Sequence, residues 1–167
     1  MAAALTVFTP VEREADVLQA YLDALPPDVF ARLEMVHLAR VHIFHALVHQ
    51  GPRQKHTDAL RVPQLVFTST YDGALDDFLD ALRARVPEAD AWWGRCPGYP
   101  GRDDAGAFRS YVKRHAVRTS LWASALPDAS VADVREALAL RERVVAFAAA
   151  AQGLDAAALH ERFRAEF

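Results

Sequence analysis

Two runs of β-branched and aromatic residues constrain the fold of this chain more than any other feature. They are Val36–Phe44 and residues 64–71, and such side chains favour strands because they pack well on a pleated surface. Residues 50–58 between them carry Gly, Pro and charge, with almost no apolar side chain. This pattern predicts two neighbouring antiparallel strands joined by a long hairpin loop.

Patterns on either side of the two runs predict the remaining elements. Residues 5–8 indicate a first strand, and Thr9 followed by Pro10 and Glu12 is typical of a helix start. An apolar stripe follows at helical spacing, formed by Val11, Ala15, Leu18, Leu22 and Leu25. A second helix is expected after a cap at Asp72, with its stripe from Leu75 to Val86.

The second half of the chain begins with a segment that resists assignment. Residues 88–106 are rich in Gly, Pro and aromatic side chains, and the Gly and Pro content argues against a regular element there. Residues 107–116 predict a short helix, and the alternation in residues 118–125 predicts a fourth strand. Residues 130–152 predict a long helix capped by Ser130 with Asp133, and a last helix runs towards Phe167.

The element order β-α-β-β-α-β predicts an α+β fold of the ferredoxin-like kind. Its four-stranded antiparallel sheet carries helices on one face, which leaves the other face to be covered. We expect a single domain over residues 1–167, with a core at about 5–128 and a C-terminal helical extension at 129–167.

Composition limits the classes of partner. The apolar fraction of 52%, the charged fraction of 25% and the net charge of −3 are those of an ordinary globular protein. Without a basic field, no nucleic acid partner is expected. One cysteine, Cys96, cannot form an intramolecular disulfide. The apolar run at 144–151 is far shorter than the ~20 residues of a membrane span, so no membrane partner and a cytoplasmic location are expected.

Several motifs together resemble a known group of proteins. They are the strand His37-Leu38-Ala39-Arg40-Val41, the turn Ser69-Thr70-Tyr71-Asp72-Gly73, the loop Cys96-Pro97-Gly98-Tyr99-Pro100, and Tyr111-Val112-Lys113-Arg114-His115. They resemble an uncharacterised bacterial domain similar to the dimeric α+β-barrel superfamily. That superfamily includes dye-decolorising peroxidases, chlorite dismutases and small monooxygenases. The resemblance covers roughly residues 5–128 and implies a homodimer that forms through the sheet face.

The resemblance leaves the activity and the heme cofactor of those peroxidases open. Their fingerprint is Gly-x-x-Asp-Gly, whereas this chain has Ser69 at the first position. Those peroxidases also carry two such units in one chain, and here there is one.

Arg40 is the leading candidate for ligand binding. In an alternating strand, Leu38, Arg40, His42 and Phe44 share one face, and the more apolar set around Ala39, Val41 and Ile43 should face the helices. A guanidinium on a covered sheet face needs an anion or a carboxylate. The alternative is a structural ion pair with an Asp or Glu. His42 would lie beside it.

Metal binding is a weaker hypothesis. His42, His45 and His49 have ligand spacing if their segment is a helix. The β-branched residues before them favour a strand, which separates His42 from His45, so no metal site is predicted. The acidic residues Asp76, Asp77 and Asp80 are interpreted as solvated charge.

Residues 88–106, called here the aromatic loop, and the predicted helix at 107–116 contain the remaining candidates. Cys96 beside Arg95 could act as a nucleophile with His115 as its base, or it could be a small buried hydrophobe. Trp93, Tyr99 and Tyr111 could line a pocket, or they could anchor the loop in the core.

Two functions remain open from the sequence. The first is a small-molecule-binding protein, oxygenase- or peroxidase-like, with a pocket between the Arg40 face of the sheet and residues 92–101. In that case Arg40, His115 and Cys96 are the catalytic candidates. The alternative is a non-enzymatic dimerisation or accessory module that acts with a partner enzyme.

Overall fold

The computed structural model describes residues 2–49, 51–56 and 59–167. The chain divides into two compact units, the first ending at Asp128 and the second spanning Ala129–Phe167. The expected long loop falls partly outside the described residues, because Gln50, Thr57 and Asp58 are not among them.

The first unit is an α+β structure built on a three-stranded antiparallel sheet. Its strands are β1 (Ala2–Pro10), β2 (Val36–Phe44) and β3 (Gln64–Asp72), and β3 lies between the other two. Its helices are α1 (Ala15–Asp23), α2 (Leu75–Arg85), α3 (Ala89–Trp93) and α4 (Ala105–His115). The predicted antiparallel pairing of the two β-branched runs is confirmed.

One face of the sheet forms the core. The Phe67 ring of β3 contacts Phe78 of α2 at 6.4 Å and Trp93 of α3 at 5.5 Å between centroids. Phe108 of α4 in turn contacts Trp93. A turn after α1 adds Phe30, whose ring lies 6.1 Å from Phe67. The large side chains at the centre of the core are fully buried: Leu18, Phe67, Phe78, Trp92, Trp93 and Phe108.

The other face of the sheet, called here the open face, keeps large apolar side chains in contact with solvent. Phe8 is 38% exposed, Phe44 41% and Leu38 56%. Residues of opposite faces alternate along each strand, so the expected division of β2 is confirmed, with Ile43 buried and Leu38 and Arg40 exposed.

The predicted fourth strand over residues 118–125 is wrong. Pairing with β1 is limited to a bridge between Val7 and Ala116 and a hydrogen bond from the Val117 amide to the Thr6 carbonyl. Leu121 is 88% exposed. Half of this segment consists of small Ala and Ser side chains, so a regular strand here would bury little apolar surface.

Three local predictions also need correction. The first helix begins at Ala15, since β1 continues to Pro10, which pairs with Gln64. Asp72 does not cap α2, which begins after Ala74 without a side-chain cap. The region expected to lack regular structure, residues 88–106, contains α3 and the first two residues of α4, and the rest of it is turn and loop.

The second unit consists of α5 (Val131–Ala150) and α6 (Ala156–Glu166). The predicted capping box is present, since Ser130 Oγ accepts from the Asp133 amide and the Asp133 carboxylate accepts from the Ser130 amide. Phe147 of α5 contacts Phe163 and Phe167 at 5.8 and 5.6 Å between ring centroids. None of the described helices is long and apolar enough to span a membrane.

Candidate functional site

A groove lies on the open face of the sheet, between the strands and residues 119–124. One part of it has a volume of about 260 Å³ and includes Arg40, Thr68 and Trp122 in its lining. A second part, of about 190 Å³, includes His37, Thr70 and Trp122. The two parts adjoin, because Leu38, Thr70 and Trp122 line both. Together they form what we call the sheet groove.

Arg40 occupies one end of the sheet groove. The strand register places it opposite Thr68, and Thr68 opposite Thr6, so one row of polar side chains crosses all three strands. Arg40 Nε donates to Thr68 Oγ1 at 3.4 Å. Among the described residues, no carboxylate lies within ion-pair distance of this guanidinium. The structural ion pair that the sequence left open for Arg40 is therefore not found among the described residues.

His42 is the neighbour of Arg40 on the same strand face. Burial, and then the positive charge of Arg40, hold the pKa of this imidazole below its ordinary value. Its ring contacts Phe44 edge-on at 4.9 Å between centroids. His42 is thus favoured as a neutral group, and the positive charge at this end of the sheet groove belongs to Arg40.

His37 and Asp72 form a pair at the other end of the sheet groove. His37 Nε2 lies 3.0 Å from Asp72 Oδ1. The register shifts between Val36 and Leu38, so His37 has no partner residue on β3. Such an irregularity redirects a side chain. Sequence reasoning placed His37 with the helix-facing set and missed this pair, although Asp72 and His37 stand at matching ends of the two predicted strands.

The aromatic candidates lie on the opposite side of the sheet from Arg40. Trp93 contacts Phe67, the residue before Thr68, and consecutive strand residues point to opposite faces. Tyr99 contacts Trp93, Phe108 and Tyr111 within this core. The pocket expected between the Arg40 face and residues 92–101 is therefore not formed, because the sheet itself separates the two groups.

Cys96 and His115 are linked through Tyr111 rather than to each other. Cys96 Sγ donates to Thr9 Oγ1 at 3.3 Å, and burial raises the pKa of the thiol. Tyr111 has its pKa raised, first by burial and then by Cys96. His115 Nδ1 lies 2.9 Å from the Tyr111 carbonyl oxygen. A protonated, buried thiol fits the structural interpretation of Cys96 better than the nucleophilic one.

A further cavity of about 400 Å³ opens beside Cys96, lined by Glu12, Arg13, Glu14, Arg95 and their neighbours. Arg95 Nε lies 3.6 Å from Glu14 Oε2, and Arg95 Nη1 donates to the Ala91 carbonyl. Arg95 and Glu14 at its rim thus pair with each other.

The described residues can also be tested for their fit to a metal ion or a heme. Within residues 2–49, 51–56 and 59–167, no group of three His, Cys, Asp or Glu side chains could hold a metal ion. Heme requires an axial ligand. His37, the imidazole that lines the sheet groove, uses Nε2 for its bond to Asp72, so Nδ1 is still able to ligate a metal. The two parts of the groove, of about 190 and 260 Å³, are each smaller than a drug-sized pocket, and heme is larger than most drugs. A heme therefore fits this groove poorly in size.

Comparisons with protein-family models, with curated proteins and with solved structures give no match. The candidate site is therefore assigned from its own geometry.

Proposed function

We propose that this protein binds a small organic molecule in the sheet groove. The observation that carries the proposal is Arg40, a guanidinium beside a cavity, with no carboxylate partner among the described residues. Around it lie threonine hydroxyls and the apolar side chains Leu38 and Trp122. A few polar groups that converge in a largely apolar cleft are typical of small-molecule sites.

A fragment screen by protein-observed NMR tests this proposal directly. We expect shifts at the amides of Leu38, Thr68 and Thr70, together with the Trp122 indole. Leu38→Glu places a carboxylate in the groove and should abolish the shifts at Thr68, Thr70 and Trp122. The rest of its spectrum should remain that of a folded protein. If shifts cluster instead around the cavity beside Cys96, or no charged or uncharged fragment binds at the groove, the proposal is wrong.

An oxygenase- or peroxidase-like reaction is the extension of this function that the sequence resemblance suggests. Titration with hemin checks it, because bound heme gives a Soret band whose position differs from that of free hemin. Since the groove fits heme poorly, we expect no such band, and an enzymatic role would then use an organic substrate without heme.

The second candidate function is assembly through the open face. Phe8, Leu38 and Phe44 expose large apolar surfaces there, and clustered surfaces of this kind mark interaction sites. Light scattering of the wild type and of Phe44→Glu tests it. A dimer that dissociates in the variant supports assembly, whereas a wild-type monomer at high concentration excludes self-assembly.

A further inference from the structure

The sheet groove has chemically different ends. Arg40 supplies positive charge at one end, and the His37–Asp72 pair supplies an imidazole held by a carboxylate at the other. The side chains of Leu38 and Trp122 line the part common to both cavities. A ligand that fills the groove therefore meets a cation, then apolar surface, then a hydrogen-bonding ring.

The Arg40 end favours a single negative charge. A guanidinium presents a planar fork that matches a carboxylate through two parallel hydrogen bonds. Arg40 Nε has a long contact of 3.4 Å with Thr68, which leaves this fork weakly engaged. One cation balances one anion, so a monocarboxylate fits this end better than a doubly charged phosphate.

The His37 end favours a neutral hydroxyl. A carboxylate is an acceptor, so His37 Nε2 donates its proton to Asp72 and, in the neutral ring, Nδ1 carries a lone pair. Among the described residues, Nδ1 makes no hydrogen bond. The two ends thus orient the ligand in one direction.

We propose that the ligand of the sheet groove is a hydroxylated aromatic monocarboxylate, with its carboxylate on Arg40 and its hydroxyl on His37. This inference rests on the proposed function. Leu38 and the indole of Trp122, which both line the groove, offer apolar and aromatic surface to a ring, since aromatic groups stack favourably. Three strand residues separate Arg40 from His37 by about 10 Å along the backbone, which is the scale of one ring with para substituents together with the hydrogen bonds at its ends.

The test uses the full chain and three probes that differ by one group: para-hydroxybenzoate, para-hydroxybenzamide and benzoate. Binding is measured by calorimetry, and the site is located by NMR. The variants are Arg40→Gln, which removes the charge, and His37→Leu, which removes the ring nitrogens. Arg164→Gln and His45→Gln are matched controls, because both residues are exposed and lie outside the groove lining.

We expect Arg40→Gln to weaken para-hydroxybenzoate by roughly 10- to 100-fold, the range of one charged hydrogen-bonding pair. The same variant should change the affinity for para-hydroxybenzamide by less than about threefold, because that probe carries no charge for Arg40 to bind. His37→Leu should weaken para-hydroxybenzoate by about 3- to 10-fold and leave benzoate unchanged. Both control variants should bind like the wild type.

Two outcomes overturn the inference, and they differ in what they say about the proposed function. If the amide probe binds the wild type as tightly as the carboxylate, or uncharged fragments alone shift the groove amides, the ligand class is wrong but the groove still binds small molecules. If neither these probes nor any screened fragment shifts the groove amides, the proposed function fails as well.

Discussion

The Tyr99 hydroxyl donates a hydrogen bond of 2.5 Å to Asp90 Oδ1, tying the aromatic loop back to α3. Around this bond Tyr99 contacts Trp93, Phe108 and Tyr111. The loop is therefore anchored as part of the core, on the far side of the sheet from Arg40.

Replacing this phenol tests the anchoring role. We expect Tyr99→Phe to lower the free energy of unfolding by about 1.5 kcal/mol, since it removes a hydrogen bond to a carboxylate and keeps the ring. Urea denaturation measures the change. Tyr21→Phe is the matched control, because the Tyr21 hydroxyl makes no hydrogen bond among the described residues, and it should be nearly neutral. Equal effects of the two variants would contradict the anchoring role.

Alkaline pH should destabilise the protein. Burial raises the pKa of Tyr99, Tyr111 and Tyr71 above the ordinary value of 10.0, and that of Cys96 above 9.0. The unfolded chain therefore loses these protons first. The stability that they contribute is fully present below about pH 9 and falls as the pH rises further. Unfolding free energies measured from pH 7 to 11 should show this decline, and Tyr99→Phe should make it less steep.

Cys96 should be inert in the folded state. Its side chain is buried, and its pKa is raised by that burial, so little thiolate is available for reaction. We expect labelling by a thiol reagent at pH 7.5 to be slow and to accelerate strongly in denaturant. Cys96→Ala should keep ligand binding at the sheet groove intact. Fast labelling of the native protein would restore the nucleophilic interpretation.

Trp122 should act as the optical reporter of the sheet groove. Trp92 and Trp93 are fully buried, whereas Trp122 is half-buried and lines the groove. Acrylamide should therefore quench mainly the Trp122 emission. A ligand in the groove should protect that emission, and Trp122→Phe should remove the effect. A ligand-dependent signal that persists in Trp122→Phe would place the binding elsewhere.

The capping box should stabilise the start of α5. Ser130→Ala removes the side-chain acceptor of the Asp133 amide, a loss typically worth about 1 kcal/mol. Hydrogen exchange of the first-turn amides of α5 should accelerate accordingly. Ser110→Ala is a suitable control, since Ser110 is exposed within α4. No change in exchange after Ser130→Ala would contradict the prediction.

The sequence predicted those elements whose signals are strong and local. The β-branched runs identified β2 and β3, and the Ser130 capping signal identified α5. The local signal was misleading at Thr9 and Pro10, which have the pattern of a helix start. Pro10 instead pairs with Gln64, because the hydrogen-bonded ladder between β1 and β3 extends to this residue. The segment 118–125 alternates like a strand but has too little apolar bulk to pair.

The candidate site was predictable in part for a different reason. Alternation alone placed Arg40 and His42 on the face away from the helices, and the structure has them there. Alternation could not predict on which side of the sheet Trp93 and Tyr99 would pack. These residues lie outside the strands, and the sequence does not reveal the path of the segment that carries them. It also misplaced His37, since a register shift of one residue reverses the direction of a side chain.

The register shift at His37 has a practical consequence for engineering. Deleting His37 would let β2 continue its ladder without interruption, but it would also remove the contact with Asp72. The deletion would take the imidazole away from the His37 end of the groove, so a variant chosen for a more regular sheet would lose the group to which we assign the ligand hydroxyl.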